Sequence, residues 1–330
     1  IFINVKDKTQ VMATSNISTS EIAELFAFPK YSIPGLPIVE CACFGREPHS
    51  LISLKKDIDI GCAYHMHTSE KQNRVFLSKD ELTKHTFITG STGSGKSNTI
   101  FKLIEQLCPV NSIKTHFLVI EPAKGEYKDV FGGRDDVTFY GTNPFKAPNL
   151  LQINPFSFPD DVHVLEHIDR LVEVFNACWP MYAAMPAILK ESVEKAYEDC
   201  GWNLKISKNP GKFPSFNNLL AILPKVVDSS KYSADTSNDY KGALLTRIRS
   251  LTRGIHGQIL ASDISANELF SKNVIIDISR IGASETKALI MGILILKLQE
   301  FRTSENVEHN CGLRHITVLE EAHNLLRKTS

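Results

Sequence analysis

The sequence has no excess of charge of either sign. Its 330 residues include 37 lysines and arginines and 37 aspartates and glutamates, which give a formal net charge of zero. A protein that binds nucleic acid through an overall positive charge is therefore excluded, although the composition still accommodates a local basic patch. The 42% of hydrophobic residues is typical of a globular chain that can bury a sizeable core.

The sequence also lacks a long hydrophobic run. The longest, from Ala288 to Leu296, ends at Lys297 and is far shorter than the ~20 residues that a helix needs to span a bilayer. No signal peptide is visible at the start, so we expect a cytoplasmic protein without direct membrane insertion. Because the sequence begins with the strand-like "IFINV" rather than with methionine and ends at "LLRKTS", we also expect it to be a fragment.

Cysteine is neither abundant nor regularly spaced. The seven cysteines are an odd number scattered along the chain, which indicates reduced thiols rather than a disulfide framework. Cys62, His65 and His67 in "CAYHMH" could contribute to a metal site, but no second pair of ligands with regular spacing accompanies them. We therefore favour a structural role for these residues.

From residue 81 onwards, short apolar runs alternate with helical stretches. Five runs are typical of strands buried on both faces, namely residues 86–89, 116–120, 137–140, 273–278 and 315–319. This order predicts an α/β fold with a parallel, doubly wound sheet. Residues 1–80 are expected to form a small N-terminal region that is partly β. Residues from about 155 to 260 have many helix formers and no clear strand, which predicts a mostly helical insertion.

Two helices can be placed from their patterns. The first carries an apolar stripe that should pack on the sheet, made of Ile100, Phe101, Leu103, Ile104, Leu107 and Cys108. The second is predicted to run from an N-cap at Ser284 to Arg302, with Glu285 in its first turn.

A glycine cluster stands between the first predicted strand and the first of these helices. The stretch "GSTGSGKS", from Gly90 to Ser97, matches the phosphate-loop pattern GxxxxGK[ST] at every defined position. Glycines allow the backbone to adopt positive φ and to approach phosphate oxygens closely. Successive N–H groups and the amino end of the next helix then bind the anion.

This loop predicts binding of ATP and Mg²⁺. Lys96 is expected to neutralise the β- and γ-phosphates, and the hydroxyl of Ser97 is expected to ligate Mg²⁺. The predicted nucleotide-binding residues are Gly90, Ser91, Thr92, Gly93, Ser94, Gly95, Lys96, Ser97 and Asn98.

Nucleotide hydrolysis also needs an acidic group near the metal ion and a residue that orients water. Glu320 and Glu321 follow the apolar run "HITVL". Two adjacent carboxylates can divide the work, with Glu320 holding a metal-bound water and Glu321 polarising the attacking water as the catalytic base. Asp277, which ends "NVIID", is the alternative, but it has no acidic neighbour. We therefore favour the glutamate pair.

Glu121 ends the predicted strand "HFLVI". Ligands of open α/β sheets bind beyond the carboxyl ends of the strands, so this carboxylate could reach the same site. A structural turn with Pro122 explains Glu121 equally well.

On these motifs the chain resembles the HerA-like ATPases of the HerA/FtsK superfamily. The resemblance is carried by "HTFITGSTGSGKSNT", "LVIEPAKGEY", "INPFSFP", "VIIDIS" and "ITVLEEAHNLL" in this order, and it covers about residues 81–330. It implies a RecA-like P-loop core over that range, a homo-oligomeric and hexameric ring, and ATP-driven movement of DNA through the central channel. It also implies a partner, such as a nuclease or another effector subunit, in some relatives as part of antiphage defence.

Carried over by position, the resemblance gives Lys96, Ser97, Glu320 and Glu321 the roles described above. Glu121 matches an acidic position of the family's second strand motif. Lys84, just before the first predicted strand, matches a basic residue that acts at the nucleotide of a neighbouring subunit. The sequence stops soon after "EEAHNLL", so we expect a core that is truncated at its C-terminus, before the family's next strand, its polar sensor residue and any late arginine finger.

The densest basic stretch is "KGALLTRIRSLTRG", which includes Lys241, Arg247, Arg249 and Arg253. Arg249 and Arg253 are four residues apart, which predicts that they share one helix face. There they could contact DNA phosphates without reading the base sequence, or face the nucleotide of the next subunit, or simply be solvated. No aromatic residues interleave with them, so stacking on single strands is not indicated and duplex DNA is the expected partner.

Three functions stay open at this point. The favoured one is a ring-forming ATPase that couples hydrolysis to DNA translocation. The second is a nucleotide-gated scaffold that positions an effector subunit. The balanced charge of the chain favours this alternative. The third is a conjugative-type secretion ATPase that works beside a membrane-bound partner.

Overall fold

The structure is a computed structural model that describes residues 18–25, 32, 34, 57–65, 67–111, 114–145, 149–208, 211–230, 232–305 and 311–324. The chain divides into two compact units, residues 1–50 and 51–330. In the first unit, the described residues form one helix, α1 (Thr19–Leu25). The strand-like start "IFINV" and the end "LLRKTS" lie outside the described residues.

The second unit begins with an antiparallel hairpin. Strand β1 (Ile58–His65) pairs with strand β2 (Thr68–Leu77). The hairpin is attached to helix α2 (Lys96–Leu107), because the side chain of Gln106 accepts a hydrogen bond from the Asp59 N–H at 2.9 Å and donates one to the Asp59 carbonyl at 2.9 Å.

A five-stranded parallel sheet forms the centre of this unit. Its order is β5-β4-β6-β3-β7, and every pairing in it is parallel. The strands are β3 (His116–Glu121), β4 (Val137–Gly141), β5 (Asn149–Leu150), β6 (Asn273–Asp277) and β7 (His315–Leu319). Four of the five predicted strands are thus confirmed, with ends that differ by at most one residue.

The strand predicted at residues 86–89 is wrong. Residues 85–90 form no strand, although their apolar pattern resembles that of β3. A strand is defined by hydrogen bonds to a neighbour, and β7, at the edge of the sheet, pairs with β3 alone in the described part of the chain. The apolar pattern of a segment indicates that its residues can be buried, but it does not show whether a neighbouring strand is present to pair with it.

Helices follow most of the strands. They are α3 (Glu126–Phe131), α4 (Val164–Cys178), α5 (Met185–Asp199), α6 (Phe216–Ser229), α7 (Ala234–Leu251), α8 (Gly254–Ile259), α9 (Ala266–Phe270) and α10 (Ser284–Ser304). Six of them, α4 to α9, lie between β5 and β6 in the chain, and all but α9 fall within the helical insertion predicted at about residues 155–260. The domain boundaries near residues 80, 155 and 260 stay predictions.

The sheet is covered on both faces, which explains why its strands are continuous apolar runs. Along β3, Leu118 and Ile120 belong to one core cluster, which includes residues of α4 and α10. Phe117 and Val119 point the other way, into a second cluster with residues of α2 and α3. The predicted α/β fold with helices on both sides of a parallel sheet is therefore confirmed.

Helix α10 contains the longest apolar run, and it differs from its prediction at both ends, since it extends to Ser304 rather than to Arg302. Ala283 is its N-cap and Ser284 its first residue, a shift of one position that a sequence pattern does not resolve. Lys297, which ends the apolar run, is 6% exposed and donates hydrogen bonds to Ser157 and to Asp263 at 2.6 and 3.0 Å. The described part of the chain contains no helix that is long and apolar enough to cross a membrane.

Candidate nucleotide-binding site

A cleft of about 240 Å³ lies where the amino end of α2 meets the carboxyl ends of β3 and β7. This is the edge of a parallel sheet at which ligands bind. The cleft is lined by Thr92, Gly93, Gly95, Lys96, Ser97, Asn98, Glu121, Ala123, Lys124, Glu126, Glu320 and Glu321. Residues far apart in the sequence, from the glycine loop and from two strand ends, are thus brought together.

The glycine loop needs its glycines at defined positions. Gly93 has φ of +79° and Gly95 has φ of +92°, in the left-handed region that costs other residues energy. At Gly90 a Cβ atom would stand 2.4 Å from the Ser94 Oγ atom. Gly95 is the N-cap of α2 and offers no side-chain cap, so the first N–H groups of the helix are left for an anion or water.

Lys96 and Ser97 occupy the first turn of α2. The Lys96 ammonium donates hydrogen bonds to the carbonyls of Gly90 at 2.9 Å and Ser91 at 3.1 Å. The side chain therefore bends back over the loop. Its charge and the Ser97 hydroxyl are both at the cleft wall, next to the free amino end of the helix.

The two glutamates enter the cleft from the end of β7. The Glu320 N–H donates to the Ile120 carbonyl at 3.2 Å and so extends the pairing of β7 with β3. Glu320 Oε1 accepts a hydrogen bond from the Tyr127 hydroxyl at 2.7 Å. Glu321 has φ of +49°, an uncommon conformation for a residue other than glycine, and its Oε2 lies 3.2 Å from Nδ1 of His323.

Glu121 lines the cleft but also serves the backbone. The residue is 3% exposed, and its carboxylate accepts hydrogen bonds from the N–H groups of Glu126 at 2.7 Å and Tyr127 at 3.4 Å. Burial raises the pKa of Glu121 to about 7, against the opposite effect of these hydrogen bonds, and the charge of Asp277 adds to the rise. The structural alternative for this residue is therefore supported: it binds the amino end of α3.

We expect the wild type to lose folding stability, relative to Glu121→Gln, as the pH rises from acidic to neutral values. The pKa of Glu121 rises from 4.5 to about 7 on folding, so between these values the folded chain keeps a proton that the unfolded chain releases. Stability is thus lost as the pH increases through this window, by roughly 3 kcal/mol at about 1.4 kcal/mol per pKa unit. Urea unfolding of both proteins without nucleotide, from acidic to mildly alkaline pH, measures the difference. Parallel curves would contradict the raised pKa.

Four other predicted candidates are not among the residues that line the cleft. Asp277 accepts a hydrogen bond from the Ser279 N–H at 2.8 Å, and neither it nor Lys84, Arg249 or Arg253 lines the cleft. The glutamate pair, which we favoured over Asp277, is the pair that the fold places beside the glycine loop.

The prediction that Arg249 and Arg253 share a helix face is wrong. Helix α7 ends at Leu251, and Arg253 is extended, with φ of −110° and ψ of 152°, as the N-cap of α8. The reason is the cap at Thr252, whose N–H and hydroxyl both donate to the Arg249 carbonyl, at 3.3 and 3.0 Å. Gly254 follows with φ of +58°. Both arginines are exposed.

Sequence reasoning missed two side chains that contact the glutamate pair. Tyr127, in the "GEY" part of a motif that carried the resemblance, donates to Glu320. His323, two residues after Glu321, lies beside it. A conspicuous motif could have drawn attention to Tyr127, whereas nothing in the spacing alone indicated which atoms would meet.

The fold and the cleft together define a P-loop ATPase with a RecA-like α/β core. The chain belongs to the family of the central domain of helicase HerA, because the family model of that description matches residues 60–298. This confirms the predicted resemblance and assigns the chain to a family of ATPases. No curated protein sequence matches the chain.

Two solved structures are similar to the chain. VirB4 of Thermoanaerobacter pseudethanolicus has 15% sequence identity and a TM-score of 0.56, over 82% of this chain and 69% of that chain. The bacterial conjugative coupling protein TrwBdeltaN70 has 12% identity and a TM-score of 0.43, over 71% of this chain and 61% of that chain. The likeness to VirB4 supports the fold.

Proposed function

We propose that this chain is the ATPase core of a cytoplasmic, ring-forming motor that couples ATP hydrolysis to the movement of duplex DNA, independent of base sequence. The observation that carries the proposal is the cleft in which a phosphate loop faces two adjacent glutamates. The DNA, the hexameric ring and a nuclease or other effector partner, including a role in antiphage defence, rest on the family to which the chain belongs.

The residues of the cleft suit a magnesium–nucleotide complex. Mg²⁺ prefers oxygen ligands, and the Ser97 hydroxyl and the Glu320 carboxylate both face the cleft. When bound, the ion would neutralise charge on the phosphates. We assign Ser97 to direct ligation and Glu320 to a metal-bound water.

The remaining steps use side chains and backbone of this chain. The amino end of α2 and the Lys96 ammonium bind the phosphates and stabilise the charge that grows on them. Glu321 accepts the proton of the attacking water and orients it. His323, whose Nδ1 lies 3.2 Å from Glu321 Oε2, limits the orientation of that carboxylate.

We expect ATP turnover to be stimulated by duplex DNA, and the stimulation to depend on Arg249 and Arg253. Both are exposed and would contact phosphates, so each alanine substitution should reduce the slope of log affinity against log salt by about 0.9. DNA affinity at several salt concentrations, with turnover measured in parallel, tests this. Lys225→Ala is the control, since Lys225 is an exposed basic residue of α6.

The alternatives give different results in the same experiment. A scaffold would hydrolyse ATP at a rate that DNA does not change, which would reject translocation. Loss of turnover in Arg249→Ala or Arg253→Ala without DNA would instead place these residues at the nucleotide of a neighbouring subunit. A secretion ATPase would respond to a protein cargo and not to DNA.

A further inference from the structure

Tyr127 contacts three parts of the candidate site: helix α2, the end of β3 and the glutamate pair after β7. It is 1% exposed and lies in the first turn of the short helix α3. Its hydroxyl donates a hydrogen bond to Glu320 Oε1 at 2.7 Å. A tyrosine phenol is protonated at neutral pH, so its O–H group is the donor to the carboxylate.

The ring of Tyr127 is held by aromatic neighbours. It meets the ring of Phe101 edge-on, with centroids 4.9 Å apart and an interplanar angle of 83°, a favourable arrangement for aromatic pairs. Phe131, one turn further along α3, lies 6.3 Å away. Because Phe101 belongs to α2, the ring is packed directly against the helix that follows the phosphate loop.

The backbone of Tyr127 is held as well. Its N–H donates to the Glu121 carboxylate at 3.4 Å, and the neighbouring Glu126 N–H donates to the same carboxylate at 2.7 Å. Glu121 ends β3, so the start of α3 is attached to the strand adjacent to β7. The hydroxyl of Tyr127 consequently has a fixed position from which to meet Glu320.

A fixed donor matters because Glu320 is a long side chain. A glutamate has one more rotatable bond than an aspartate, and ordering it costs more conformational entropy. The hydrogen bond from Tyr127 occupies Oε1 and limits the carboxylate to orientations that satisfy it. Oε2 is then the oxygen that can turn to a ligand in the cleft.

We propose that Tyr127 is a positioning residue that orients the Glu320 carboxylate towards the magnesium ion of the bound nucleotide. This inference rests on the proposed function, since it assumes that a magnesium–nucleotide complex occupies the cleft. Glu320 would act on the ion through a metal-bound water, and the loss of such outer hydrogen-bond partners of a metal site commonly changes metal affinity by about 10–100-fold.

The test is Tyr127→Phe, which removes the hydroxyl and keeps the ring. The affinity of the full chain for a fluorescent ATP analogue is measured over a range of Mg²⁺ concentrations and in EDTA. We expect half-saturation by Mg²⁺ to require roughly tenfold more of the ion, while affinity in EDTA stays unchanged. A variant that had only lost stability would change both or neither.

Tyr197→Phe is the matched control. Tyr197 is also fully buried, and its hydroxyl donates to the Phe156 carbonyl within the core that α5 helps to form, away from the residues of the cleft. The Tyr197→Phe variant should therefore keep the Mg²⁺ dependence of nucleotide binding that the wild type shows. In a Glu320→Ala background, Tyr127→Phe should cause no further change, because its effect passes through the carboxylate.

The outcomes separate this inference from the proposed function. If the wild type shows no Mg²⁺-dependent nucleotide binding, the proposed function fails. If it does, and Tyr127→Phe has the same Mg²⁺ half-saturation, the positioning role is wrong. Should Tyr127→Phe not fold, Phe101→Leu removes the ring against which Tyr127 packs, and an unchanged Mg²⁺ dependence there would equally overturn the inference.

Discussion

Glu321→Gln is expected to abolish ATP turnover while nucleotide binding persists. Loss of a general base typically costs on the order of 10²–10⁴ in rate, and glutamine has the same shape without the ability to accept a proton. The substitution should not disturb the fold, because Glu321 is exposed and glutamine can adopt the same backbone conformation. Single-turnover hydrolysis and nucleotide affinity, measured on the same preparation, test both halves of the expectation.

The control for Glu321→Gln is Glu285→Gln. Glu285 is an exposed glutamate in the first turn of α10 and does not line the cleft, so turnover should be unaffected. Full turnover in Glu321→Gln would reject the assignment of this residue as the base. Turnover that fails together with nucleotide binding would indicate that Glu321 is needed for binding of the magnesium–nucleotide complex instead.

The order of motifs along the chain was sufficient to predict most of the fold. Runs such as "HFLVI" contain almost no polar residue, which is typical of strands that are buried on both faces of a sheet. Because ligands bind at the carboxyl ends of parallel strands, the sequence alone could place a pair of strand-end acids near the glycine loop. The register of β3 and β7 shows how this happens, since it brings Glu320 next to β3. The segment at 86–89 shows the limit, since pairing depends on a neighbour that the segment itself does not encode.

The side-chain contacts of the site could not be predicted in the same way. Whether Glu121 faces a ligand or the backbone depends on how the chain turns after β3, and α3 begins close enough for two of its N–H groups to bond to the carboxylate. Lys297 ended an apolar run in the sequence, yet it is buried with its own partners. The prediction that Arg249 and Arg253 share a helix face was wrong because Thr252 caps the end of α7 before Arg253 is reached.

Lys96→Ala is expected to lose nucleotide binding. Hydrogen bonds to charged groups contribute about 1.5–3 kcal/mol each, and the ammonium is the loop side chain that carries a charge to the phosphates. We therefore expect affinity for ATP to fall on the order of 100-fold or more. The fold should persist, because the contacts that are lost involve only two loop carbonyls, those of Gly90 and Ser91. Equilibrium binding of a fluorescent ATP analogue, with thermal unfolding as the check on folding, is the measurement.

The matched control for Lys96→Ala is Lys124→Ala in the same cleft. Lys124 also lines the cleft, but its ammonium lies 3.2 Å from the Glu126 carboxylate rather than over the glycine loop. Both variants remove one positive charge from the site, so a general electrostatic attraction would weaken ATP binding equally in the two. A much larger loss for Lys96→Ala shows that its position over the loop matters. Equal losses would mean that the loop does not hold the phosphates and that the cleft binds anions without the geometry of a P-loop ATPase.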